Sequence, residues 1–132
     1  MSIAVAAMAS VIAAVAAADV VITAVRPAVV RARQVVQVEA GAYRAFPRPM
    51  PLYLVPVARV PKRGAYPKPP RGDPFTRVGS LDFRRHPRHV TMRFRVPRLP
   101  RGRYELVIYC DPCRRGRGGT LIKDAIAIVR VR

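Results

Sequence analysis

The sequence predicts an all-β fold in which two antiparallel sheets pack face to face, and three observations carry that expectation. Short apolar runs recur along the chain between turn residues, the side chains inside them alternate with period two, and no segment after residue 18 has a helical period. A chain of 132 residues reads as one domain. Without its first eighteen residues it is still long enough to bury between about 60 and 70% of its unfolded surface, so it needs neither metal nor a disulfide framework to fold.

Residues 1–18 carry no charged side chain and close on Ala16-Ala17-Ala18, the pattern of an export signal with its small-residue cleavage site. The n-region lacks Lys and Arg, which departs from that pattern. An uncleaved anchor is the rival reading, but the apolar run stops at Asp19, at the lower limit of about 17 to 25 residues for spanning, and it is rich in weakly hydrophobic Ala. The expected domain division is therefore a signal at 1–18, cleaved before Asp19, and a sandwich at 19–132.

The strands follow in order. Val20 to Val25 is the first apolar run, stopped by Arg26-Pro27. Val36, Val38 and Ala40 alternate with Gln37 and Glu39 in the second, and Gly41 ends it. Leu52 to Val57 is the third, but Pro47, Pro49, Pro51 and Pro56 crowd it. Proline cannot donate to a ladder, so the expectation there is an edge or irregular strand. Residues 61–74 have no apolar period and read as a long, Pro-rich surface loop. It holds Arg71-Gly72-Asp73, an adhesive tripeptide that an Arg- and Gly-rich chain produces by chance.

Val78 to Phe83 places Leu81 and Phe83 inward, and His89 to Val96 sets Val90, Met92, Phe94 and Val96 against Thr91, Arg93 and Arg95. From Pro100 and Gly102, a turn, the sixth strand runs with Tyr104, Leu106, Ile108 and Cys110 on a core face and Arg103, Glu105, Val107 and Tyr109 on a mixed, solvated one. Leu121 to Val131 is the last, with Ala125, Ala127, Val129 and Val131 on one face and Arg130 and Arg132 on the other. About seven short strands at this spacing form two antiparallel layers.

Three stretches carry a resemblance. Ile22-Thr23-Ala24-Val25-Arg26-Pro27 leading into Val35-Val36-Gln37-Val38 resembles the opening of exported Ig-like domains of bacteria, and Leu99-Pro100-Arg101-Gly102-Arg103-Tyr104 resembles the approach to their penultimate strand. Tyr109-Cys110-Asp111-Pro112-Cys113, followed by Gly118-Gly119-Thr120-Leu121-Ile122, is similar to small secreted β-sandwich proteins of GC-rich Gram-positive bacteria. The resemblance implies a single Ig-like sandwich in which Tyr104 is the tyrosine of a tyrosine corner, its hydroxyl bonded back to nearby backbone. The chain departs from the antibody pattern in having no Trp and no Cys pair between sheets.

The motifs that carry chemistry elsewhere are weak here. Cys110-Asp111-Pro112-Cys113 has dithiol spacing, but a strand precedes it and an Arg-Gly loop follows, whereas redox dithiols sit at a helix N-terminus that lowers the thiol pKa. In an exported protein the pair reads as a local disulfide. His86 and His89 with the two cysteines make a two-Cys, two-His set on paper, in an order that matches no zinc finger, and solvated loop histidines are the default. The only Ser past the signal, Ser80, lies outside any nucleophile elbow, the carboxylates are scattered singly, and the glycines at 116, 118 and 119 precede no helix. No enzyme and no cofactor is expected.

Charge is the strongest signal. The 25 basic side chains, 22 of them Arg, face seven acidic ones for a net +18. That imbalance attracts polyanions and is silent on fold. GC-rich codons account for part of it, since the chain has no Asn and little Lys. Candidate anion-binding residues are Arg84, Arg85, Arg88, Arg93 and Arg95, with Arg114, Arg115 and Arg117 in the loop after the cysteines. Phe94 alternates with its arginines and points to the core, which leaves a basic face without stacking groups. The expected function is an exported, non-enzymatic binding or structural module, secreted or envelope-associated, on an anionic envelope partner. A nucleic-acid binder is the second reading and a thiol or metal protein the third.

Overall fold

A computed structural model describes residues 20–62, 65–113, 119–123 and 127–132. The expected signal at 1–18, Ala125, and the arginines at 114, 115 and 117 lie outside the described residues. The fold is an all-β sandwich. One layer has three strands in the order β1-β3-β7, where β1 is Val20–Arg26, β3 is Val35–Ala42 and β7 is Val90–Arg95. The other has the order β2-β10-β8-β4-β6, from β2 at Val29–Val30, β4 at Met50–Pro56, β6 at Thr76–Leu81, β8 at Gly102–Cys110 and β10 at Ile128–Val131. Two short strands extend it, β5 at Ala65–Tyr66 and β9 at Gly119–Ile122.

The core between the layers is built from the alternation that the sequence displays. Val36, Val38 and Ala40 of β3 are fully buried, as are Leu106 and Ile108 of β8 and Val129 of β10, with Phe94 and Val96 joining from the end of β7. Each of these side chains larger than alanine contributes about 1.5–3 kcal/mol by leaving water. Among the described residues no charged side chain is buried, and no helix is long and apolar enough to cross a membrane.

Four expectations are corrected. β4 is not an edge strand, since it lies between β8 and β6, but it is irregular as the other alternative had it, its register with β6 shifting between Leu52 and Tyr53; Pro51 stands before the ladder with β8 begins and Pro56 where it ends. The outer face of β8 is not solvated along its length. Val107 and Tyr109 are buried with Tyr53 and Val55 of β4 in a second apolar cluster, covered by Val60, Tyr66, Phe75 and Leu121. The segment at 61–74 is therefore more than a loop, since it carries β5, which pairs with β9 and helps roof that cluster. Finally, the last run is two strands on one edge of β8. From Ile122 opposite Ile108 to Ile128 opposite Glu105 it advances six residues while β8 moves three, so the ladder is interrupted and resumes with the Leu106 amide donating to the Ala127 carbonyl at 2.8 Å.

A short strand the sequence did not announce, β2, pairs in parallel with β10, Val29 beside Arg130 and Val30 beside Val131. The chain thus hands over from the small layer at Arg26-Pro27, a cis peptide, to the large one two residues later.

Candidate functional site

The turn after β8 closes as the sequence predicts. Cys110 and Cys113 are joined in a disulfide, their Cα atoms 5.1 Å apart, and both are buried. The segment between β3 and β4 docks on this turn. Arg44 Nη2 donates to the Cys113 carbonyl at 3.2 Å while its guanidinium lies 4.1 Å above the Phe46 ring, and Arg48 stands 3.8 Å from the Asp111 carboxylate. A thiolate-based site is not assembled, because each sulfur is bonded to the other. His89 turns elsewhere, its Nε2 3.3 Å from the Thr91 hydroxyl and 3.7 Å from Glu39, and His86 is exposed. Among the described residues no three His, Cys, Asp or Glu side chains cluster as metal ligands.

Of the predicted basic residues, Arg93 and Arg95 lie on β7, an edge strand of the small layer, with Arg84, Arg85 and Arg88 in the connection that leads into it. Arg93 and Arg95 stand exposed on β7 opposite Gln37 and Val35, and Arg88 lies just before that strand, its backbone against Gly41. At about 3.3 Å per residue, Arg93 and Arg95 lie roughly 7 Å apart along the strand. Several of these cations already have partners. Arg93 Nε donates to the Gln37 side chain at 3.1 Å, and Arg95 Nη1 to the Arg33 carbonyl at 3.2 Å. Arg84 makes a bidentate pair with Asp82, at 3.0 and 2.7 Å, and that pair holds the Asp82 carboxyl at about 2 instead of its usual 3.8. Arg85 is exposed next to it.

No protein-family description, curated protein or solved structure matches the chain. Function must therefore be read from the site chemistry alone.

The two residues expected to shape the turn before β8 are in place. The Tyr104 hydroxyl donates to the Pro100 carbonyl at 2.6 Å, and burial raises the pKa of that phenol. Gly102 has φ +153°, a backbone conformation that side-chain-bearing residues rarely adopt. In the second cluster the Tyr109 hydroxyl donates to the Tyr66 carbonyl at 2.7 Å and burial again raises its pKa. Tyr53 is buried edge-on to Phe75, and its hydroxyl finds no partner among the described residues.

Sequence reasoning missed two cationic groups. Arg44 was invisible because its partners, Phe46 and the Cys113 carbonyl, include one 69 residues away. Arg101, Arg103, Arg130 and Arg132 were passed over because only strand pairing brings them together, around an open concavity of about 620 Å³. The alternation of Arg130 and Arg132 with Val129 and Val131 was the one available signal.

Proposed function

We propose that this protein is an exported, non-enzymatic binding or structural module of Ig-like type, held by charge to an anionic partner in the cell envelope. The observation that carries the reading is an excess of cations that the chain cannot neutralise internally. Twenty-five basic side chains face seven acidic ones, and the buried set among the described residues holds no charged group, so the imbalance lies at the surface. The carboxylates of Asp73, Asp82, Asp111 and Glu39 already pair with Arg59, Arg84, Arg48 and Arg26. The remaining guanidiniums present forks suited to phosphate or carboxylate groups.

The Cys110–Cys113 disulfide fits an oxidising compartment, and the charge-free opening of the sequence fits export. The Tyr104 to Pro100 hydrogen bond supports the Ig-like arrangement, as a tyrosine corner would.

Sedimentation of the full chain with purified cell envelopes tests the reading. The protein should pellet with intact envelopes and stay in solution once their anionic polymers are stripped. Equal pelleting with stripped material, or a native protein found in the cytoplasm with Met1 intact, would contradict it.

A further inference from the structure

The arginines that the sequence singles out are partly satisfied by neighbours; a different set is not. Arg103 on β8 stands directly opposite Arg130 on β10, flanked by Arg101 just before Gly102 and Arg132 just after Val131. Like charges directly opposite on an antiparallel ladder destabilise it. Among the described residues no carboxylate pairs with any of the four, and the one acidic group on this face of β8, Glu105, lies opposite Ile128 and is itself engaged.

The arrangement is concave. Arg101, Gly102, Arg103, Arg130, Val131 and Arg132 line an open hollow of about 620 Å³. Gly102 is one of the lining residues; a Cβ there would meet nothing within 4 Å, and its φ of +153° is one that side-chain-bearing residues rarely adopt. Four of the six lining residues are therefore arginines, with a glycine between two of them.

The geometry points to a binding site for the phosphate groups of a phosphodiester-linked sugar or polyol polymer, an assignment that rests on the anionic-partner reading above and locates its seat. Facing residues on a ladder lie about 4.5–5.5 Å apart at Cα. The acceptor lone pairs of a carboxylate lie in one plane, so two forks must be coplanar to share it, whereas the two non-bridging oxygens of a phosphodiester accept from directions spread around a tetrahedral phosphorus, which suits the separate guanidiniums of Arg103 and Arg130. A bound phosphate also relieves the repulsion across the ladder. Nucleic acid is the less fitting phosphodiester, because the hollow has no aromatic side chain on which a base can stack.

Titration calorimetry of the full chain with poly(glycerol phosphate), polyglutamate and a DNA oligonucleotide of matched charge tests the assignment, using the variants R103Q/R130Q, R101Q/R132Q and R93Q/R95Q. Each removes two charges. The first two should weaken poly(glycerol phosphate) binding about tenfold or more, and the third only about as much as loss of nonspecific charge, roughly threefold. R101Q/R132Q replaces side chains outside the facing Arg103–Arg130 pair, so it remains informative if R103Q/R130Q fails to fold. Equal losses in all variants, or polyglutamate or DNA bound more tightly than poly(glycerol phosphate), would overturn this site while leaving the charge-based reading standing. No binding of any polyanion by the unaltered chain would remove both.

Discussion

The hydroxyl of Tyr104 and the carbonyl of Pro100 lie 2.6 Å apart and tie the turn before β8 to the strand it feeds. Tyr104 is buried, 5% exposed, and sits opposite Val129 on β10 and Pro56 on β4. The bond therefore fixes the turn that carries Arg101 and Gly102, two of the residues lining the concavity. Y104F keeps the ring and removes the donor, so it should cost about 0.5–1.5 kcal/mol, read as a lower midpoint in urea at unchanged slope. An unchanged midpoint would show that the bond contributes nothing.

The Cys110–Cys113 disulfide closes a short loop, with a sequence separation of 3. Chain-entropy arithmetic for so small a loop gives about 2 kcal/mol. Reduction should lower the melting temperature and leave a folded domain, because Leu106, Ile108 and the rest of β8 are held by ladders on both sides. Thiol titration of the native protein should find no free thiol. Two free thiols, one strongly acidic, would instead make Cys110 and Cys113 a reactive pair.

Asp82 supplies a pH signature. Its pairing with Arg84 lowers the folded-state pKa from 3.8 to about 2, so the stabilisation it brings is present above about pH 4 and is lost as pH falls through about 2. The D82N variant should lack that portion of the acid dependence when unfolding midpoints are followed from neutral to strongly acidic pH. It should also free Arg84 and modestly strengthen polyanion binding at neutral pH. Superimposable acid profiles for the two proteins would contradict the linkage.

The strands most legible in the sequence were those with one buried and one exposed face. In β3 and β7 the buried Val36, Val38 and Phe94 alternate with the exposed or half-exposed Gln37, Arg93 and Arg95, and period two was plain. β4 was misread because both of its faces are buried. Leu52 and Leu54 enter the main core and Tyr53 and Val55 the second cluster, so alternation vanishes and its prolines dominate.

That second cluster depends on distant chain folding back over β8. Gly119 shows how close the fit is, since a Cβ there would collide with the Tyr109 ring. Nothing in the sequence near Tyr109 announces such a roof. The candidate site was legible to the same degree: total charge is a property of composition, and the alternation of Arg93 and Arg95 follows from one strand. The juxtaposition of Arg103 and Arg130, 27 positions apart in the chain, depends on register between their strands, which local pattern does not encode.

The central claim, a surface excess of positive charge that holds an anionic polymer, is tested most directly by the salt dependence of binding. Affinity of the full chain for poly(glycerol phosphate) should be measured from about 50 to about 500 mM monovalent salt, across which the screening length shortens through about 8 Å near physiological strength. Log affinity should fall linearly and steeply with log salt, as counterions released on binding require. Affinity that stays constant across that range, or tight sequence-selective binding of one oligonucleotide in preference to the polymer, would contradict it.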